Sequence, residues 1–162
     1  METITATRTC QASPETVYDL VTDLTRMGEW SPENQGGQWL EGATGPAVGA
    51  RFKGRNQRKA GWSTTAVVTD VVRGQVFAFA VGKNAPKDAD ATWRYDFEPA
   101  PTGCVVTETC QILRQPGPVG RLLTKLGTGV SWADRPADLR AGMEETLRRL
   151  AAAVESGSVS AD

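Results

Sequence analysis

One long amphipathic helix in the last third of the chain limits the fold more than any other feature. Over residues 134–157, Leu139, Met143, Leu147, Leu150 and Val154 recur every three or four positions, with Glu144, Glu145, Arg148 and Arg149 between them. That spacing predicts a single apolar stripe along one helix. The stripe needs a surface to cover it, and most of the preceding segments alternate with the two-residue period of strands. A single antiparallel sheet curved around the helix satisfies both patterns and tends to enclose a cavity.

Residues 3–10 alternate apolar and polar side chains as a first strand. Ser13 then caps a helix opening at Pro14, whose Val17, Leu20, Val21 and Leu24 share a face, and Asp23 caps a second short turn ending near Gly28. Glycines and prolines from Trp30 to Gly49 leave room for only a short strand near residues 38–40. Longer strands are predicted over 50–56, 62–72, 75–81, 91–98 and 104–113. Tight hairpins at Arg73-Gly74 and Ala100-Pro101-Thr102-Gly103 make their neighbours antiparallel. The connection over 115–133 is rich in Gly and Pro but holds Val119, Leu122, Leu123 and Leu126, which predicts a short helix or a partly ordered flap. The reading is one domain over residues 1–156 with a disordered tail at 157–162.

Composition excludes several function classes. The chain has 162 residues, a formal net charge of −1 and 40% apolar residues, enough for one continuous core. Its densest basic run is Arg51, Lys53, Arg55, Arg58 and Lys59; Arg51, Lys53 and Arg55 share a strand face, and the run reads as a solvated face rather than a nucleic-acid surface. No apolar stretch approaches the roughly 20 residues of a membrane span, and the N-terminus lacks a signal peptide's pattern, so a cytoplasmic location is expected. Cys10, Cys104 and Cys110 have neither CxxC spacing nor an even count, against a disulfide framework or zinc site. The sequence contains no histidine, which removes Ser-His-Asp triads, Cys-His pairs and histidine metal clusters. GxGxxG and GxxxxGK[ST] fingerprints are missing as well, so neither a metal nor another cofactor is expected.

Strand parity then sorts the inward side chains. Trp93, Tyr95 and Phe97 fall on one face of their strand and Arg94, Asp96 and Glu98 on the other. In the following strand Cys104, Val106, Cys110 and Ile112 mark the apolar face, and Glu108 falls among them. A carboxylate in an apolar cavity loses hydration and its pKa rises, which is one way functional carboxylates are tuned. A bulge that turns Glu108 outward, or a structural pair with an arginine, is the alternative. Phe52, Gly54 and Asn56 share the face opposite the basic residues, where Asn56 either offers an amide to a ligand or bonds to loop backbone. Trp62, Phe77 and Phe79 are pocket walls or ordinary core.

Taken together, the Ser13-Pro14-Glu15-Thr16-Val17-Tyr18 helix start, the Asp23 to Trp30 segment, the Trp93-x-Tyr95-x-Phe97 strand, the Gly103 hairpin, the Thr107-Glu108 strand and the terminal helix resemble the START/Bet v 1-like (SRPBCC) superfamily. Within it they are most similar to the polyketide cyclase/dehydrase-like group, over about residues 2–155. Glu29-Trp30-Ser31-Pro32-Glu33-Asn34 and Phe52-Lys53-Gly54-Arg55-Asn56 look like segments of an actinobacterial branch. The resemblance implies an α+β helix-grip fold, a curved antiparallel sheet around the C-terminal helix, with two short helices after the first strand closing one end of a hydrophobic cavity. It carries over no catalytic motif.

The expected function is binding of a hydrophobic or aromatic small molecule, lipid or polyketide-like, by Phe52, Trp62, Phe77, Phe79, Trp93, Tyr95, Met143 and Leu147, with Asn56 and Glu108 orienting it. The alternative is a polyketide cyclase or dehydratase in which Glu108 is the acid or base and Tyr95 a donor. A third reading is a protein-interaction module with a filled core. An open interior separates the first two from the third, and convergence of Glu108 with Tyr95 favours the second. Oligomeric state is left open by the sequence.

Overall fold

In the computed structural model, which describes residues 1–157, seven strands form one antiparallel sheet whose first strand closes against its last. In chain order these are β1 (Glu2–Cys10), β2 (Asn34–Trp39), β3 (Arg51–Gln57), β4 (Gly61–Val72), β5 (Val76–Val81), β6 (Ala91–Ala100) and β7 (Gly103–Ile112). The helices are α1 (Pro14–Thr22), α2 (Met27–Trp30), α3 (Pro118–Thr128) and α4 (Arg135–Glu155), with a 3-10 turn at Leu24–Arg26. The order across the sheet is β1-β7-β6-β5-β4-β3-β2, so every neighbour but the β7–β1 pair is consecutive in the chain. This is the helix-grip fold. Of the tail expected over 157–162, all but Gly157 lies outside the described residues. Among the described residues no helix is long and apolar enough to cross a membrane.

Local chemistry sets the element boundaries. The Ser13 hydroxyl accepts a hydrogen bond from the Thr16 amide at 3.2 Å and Pro14 occupies the first turn of α1, while the Asp23 carboxylate accepts from the Thr25 amide at 3.1 Å. Between them α1 and the 3-10 turn bury Val17, Leu20, Val21 and Leu24.

The short strand expected near residues 38–40 instead begins at Asn34. Glycines that read as loop punctuation are here what lets a strand pass through a crowded corner. Gly36 sits at a register shift with φ near 121°, and a β-carbon on Gly37 would lie 2.9 Å from the Lys53 carbonyl oxygen. The solvated basic face also needs a correction. Lys53 and Arg55 are exposed, but Arg58 turns back to pair with Glu33 and Asp138.

The core continues from the sheet into the C-terminal half of α4. Leu147, Leu150 and Ala151 are buried in one cluster with Ile4, Val17, Val21, Val106 and Trp30. Arg140 fixes the helix to β1 by donating to the Thr5 carbonyl at 2.8 Å. Cys10 and Cys104 face each other in the β1–β7 register, and all three cysteines are buried free thiols.

Candidate functional site

Where α4 stops filling the grip, the grip stays open. A cavity of about 510 Å³ lies between the concave face of the sheet and the N-terminal half of α4. Alternate residues of five strands reach it: Phe52, Gly54 and Asn56 from β3, Trp62 and Thr64 from β4, Phe77 and Phe79 from β5, Trp93 and Tyr95 from β6, and Glu108 and Cys110 from β7. Phe79 packs edge-on to Phe52 with centroids 5.1 Å apart and lies 5.4 Å from Phe77, so β3 and β5 share one aromatic wall. Asn56 Nδ2 donates to the Thr64 hydroxyl at 3.4 Å, a side-chain partner rather than the loop backbone.

Leu147 is the one residue expected on the wall that does not border the cavity. Its side chain is fully buried in the core. The cavity-facing residues of α4 are Arg135, Asp138, Leu139, Gly142, Met143 and Thr146, a stripe at helical spacing that ends one residue short of Leu147. At that level β1 and α1 have closed on the helix, so the next apolar position meets protein.

Glu108 carries the sharpest chemistry. It is 3% exposed, and the β6–β7 register sets it directly opposite Tyr95, whose hydroxyl donates to Glu108 Oε1 at 2.7 Å. The register runs through this position on both sides without a bulge, and among the described residues no arginine pairs with the carboxyl, so neither alternative explanation of Glu108 fits the geometry. Glu108 Oε2 is buried and has no hydrogen-bond partner among the described residues. Burial pushes the Glu108 pKa up to about 8, against the smaller opposing pull of the Tyr95 hydrogen bond. Burial first and the Glu108 charge second raise the neighbouring Cys110 thiol to about 12, and the same causes hold the Tyr95 hydroxyl well above its ordinary value. At neutral pH the group is mainly a carboxylic acid with one oxygen engaged and one free.

A polar ring borders the cavity at the first turn of α4. Arg135, which is buried, donates to Glu33 Oε1 at 2.6 Å and to Asp138, while Arg58 Nη2 reaches Asp138 at 3.1 Å and Arg58 Nη1 lies 3.6 Å from Glu33. Two arginines and two carboxylates thus join the α2–β2 loop, the β3–β4 hairpin and the first turn of α4. Sequence reading missed this ring. Arg135 and Asp138 stand three residues apart in a helical first turn, a legible pair, but Glu33 lies 102 residues from Arg135 and nothing in the sequence joins them. Among the described residues no group of three or more Cys, Asp or Glu is placed to hold a metal ion.

The profile of a family described as polyketide cyclase/dehydrase and lipid transport matches residues 1–155. Among solved structures, a polyketide-cyclase-like protein of Corynebacterium glutamicum is 30% identical, covering 97% of this chain and 93% of that one, with a TM-score of 0.61. A Chromobacterium violaceum protein is 19% identical over 94% of this chain and 96% of its own, with a TM-score of 0.68. DynU16, from the dynemicin biosynthetic locus, is 17% identical over 97% of this chain and 48% of its own, with a TM-score of 0.63. No curated relative matches this chain in sequence.

Proposed function

Since the chain belongs to the polyketide cyclase/dehydrase and lipid transport family, we propose that it binds an apolar or aromatic small molecule, of lipid or polyketide-like kind, in the cavity between the sheet and α4. The observation that carries this reading is the free Oε2 of Glu108 in a largely aromatic wall. A buried polar atom without a partner is costly, and a ligand that supplies one removes that cost where the apolar walls already favour its body. Phe52, Trp62, Phe77, Phe79, Trp93 and Met143 provide the apolar contact; Asn56, Tyr95 and Glu108 provide orientation. Leu147 acts behind them as core. The open interior weighs against a ligand-free interaction module, and the buried free thiols fit a cytoplasmic setting. Native mass spectrometry of freshly purified protein, with extraction of any bound molecule, tests the reading. A protein that carries nothing and shows no saturable binding of an apolar fluorescent probe refutes it.

A second reading rests on the Tyr95–Glu108 hydrogen bond itself. In a cyclase or dehydratase, protonated Glu108 donates from Oε2 to a leaving hydroxyl, which departs as water. The carboxylate left behind keeps the Tyr95 hydrogen bond at Oε1 and takes a proton from the adjacent carbon as the double bond forms, which restores the acid. The aromatic walls hold a flexible chain in register for that step. With no histidine to share the proton transfers, we expect binding without turnover for most apolar ligands. Saturable conversion of an aromatic polyketide-like compound, lost in both Glu108→Gln and Tyr95→Phe, would establish the enzyme instead.

A further inference from the structure

Helix α3 is amphipathic the wrong way round. Val119, Leu122, Leu123 and Leu126 recur at helical spacing on one face, and that face points away from the protein, with the four side chains 72%, 57%, 61% and 61% exposed. The face toward the protein is small and polar. Thr124 borders the cavity, Thr128 is buried and returns its hydroxyl to the Thr124 carbonyl at 2.7 Å, and Gly127 lies against Trp62. A helix folded only to cover a core would present the opposite faces. Contiguous exposed apolar side chains on one element mark a surface that meets something else.

Charge on the same helix narrows what that is. Arg121 and Lys125 lie one turn apart beside the apolar stripe, and Pro118–Thr128 contains no acidic residue. Neither cation joins an ion pair among the described residues: Arg121 donates to the Pro116 carbonyl and to Gln115. Lys59 adds a further positive charge where it lies against Gly129 at the end of the helix. The whole chain has a net charge of −1, so this cationic rim is local. An apolar stripe flanked by unpaired cations on a helix too short to span is the pattern of an element lying in a membrane interface. A second copy of the chain fits less well. Four side chains on one helix fall short of the roughly 20–30 residues a side of a standard interface, and a two-fold contact would bring the cationic rims together.

We propose that α3 docks the mouth of the cavity on an anionic lipid bilayer, with Val119, Leu122, Leu123 and Leu126 entering the interface and Arg121 and Lys125 meeting the headgroups. The docking stands on the surface of α3 alone, while the exchange it would serve rests on the apolar ligand proposed for the cavity. Its function is exchange: Thr124 and Pro116 border the cavity from the same segment, so docking brings the mouth to a source or sink of apolar molecules without passage through water.

Co-sedimentation with vesicles of phosphatidylcholine and phosphatidylserine in a three-to-one ratio, against vesicles of phosphatidylcholine alone, tests this without any cavity ligand. The mixed vesicles should bind at least about tenfold more tightly, with the difference shrinking as salt is raised. The double variant Leu123→Asp/Leu126→Asp should lose at least about tenfold in binding while keeping its thermal unfolding, because both side chains are exposed. Arg121→Gln/Lys125→Gln should abolish the preference for the anionic vesicles. Absent or equal binding to the two vesicle types, or unchanged binding by the Leu123→Asp/Leu126→Asp protein, overturns the proposal. A native dimer that the same leucine variant converts to monomer in sedimentation equilibrium also overturns it, and assigns the face to a second copy.

Discussion

The two halves of α4 carry one amphipathic pattern into opposite surroundings. Toward the C-terminus, Leu147, Leu150 and Ala151 are enclosed by β1, α1 and the sheet, whereas toward the N-terminus Leu139, Gly142, Met143 and Thr146 border open volume. Both halves satisfy the same rule that the apolar face is covered. An amphipathic stripe specifies that a face will leave water, but not whether protein atoms or a guest will cover it.

Truncations at the two ends should therefore differ in cost. Leu150→Ala, in the closed half, should destabilise by about 3–5 kcal/mol, because it leaves a cavity where packing was complete. Met143→Ala should cost less, about 2–3 kcal/mol, because Met143, though only 2% exposed, borders the cavity, so the space it leaves joins volume that is already open. Urea denaturation of both variants measures the gap, and equal losses would erase the distinction between the halves.

The next effect belongs to Glu108 and runs with pH. Its folded pKa, near 8, lies above its unfolded value of 4.5, so the folded state holds the proton more tightly. The stability linked to this group is then fully present below about pH 4.5, falls as pH rises toward about 8, and is flat beyond. Glu108→Gln, which has no proton to lose, should remove about 2–4 kcal/mol of that pH dependence and be the more stable protein near pH 9. Denaturation curves at about pH 5, 7 and 9 decide it: parallel pH profiles for the two proteins would mean that the carboxyl is hydrated.

The smallest stability effect should come from Met143→Trp, within about 1 kcal/mol, because the added ring enters space that is open. Leu147→Trp, one turn further on, should cost about 1–3 kcal/mol by overpacking. Binding of an apolar fluorescent probe should fall sharply in the Met143 variant. Probe binding that survives in a folded Met143→Trp protein would move the ligand away from the N-terminal half of α4.

Much of this arrangement was legible before any coordinates. Two-residue parity put Trp93 and Tyr95 on one face and Glu108 among apolar neighbours, and Ser13 and Asp23 announced the first helix and turn. These are local signals, because the sense of a side chain is set by the pleat or the helical turn of its own element. Leu147 shows where such signals stop. Its spacing from Met143 put it on the right stripe, but the cavity had ended before it. The strand over Gly36 and Gly37 was missed for a related reason: glycine weakens a strand by local preference and is required there by the close approach of Lys53.

What the sequence determined by itself is therefore the fold, the inward faces of β3, β6 and β7 and the absence of histidine-based chemistry, all of which follow from residue identity and period. Tertiary structure alone decided that the grip is open at one end, that Arg58 and Arg135 share Glu33 and Asp138 beside the cavity, that Tyr95 occupies one oxygen of Glu108 and leaves the other free, and that α3 turns its apolar face outward. Each of these depends on which distant segments arrive at the same place and how completely they fill it. Periodicity within one element fixes a direction, and only the packing of several elements fixes what lies in that direction.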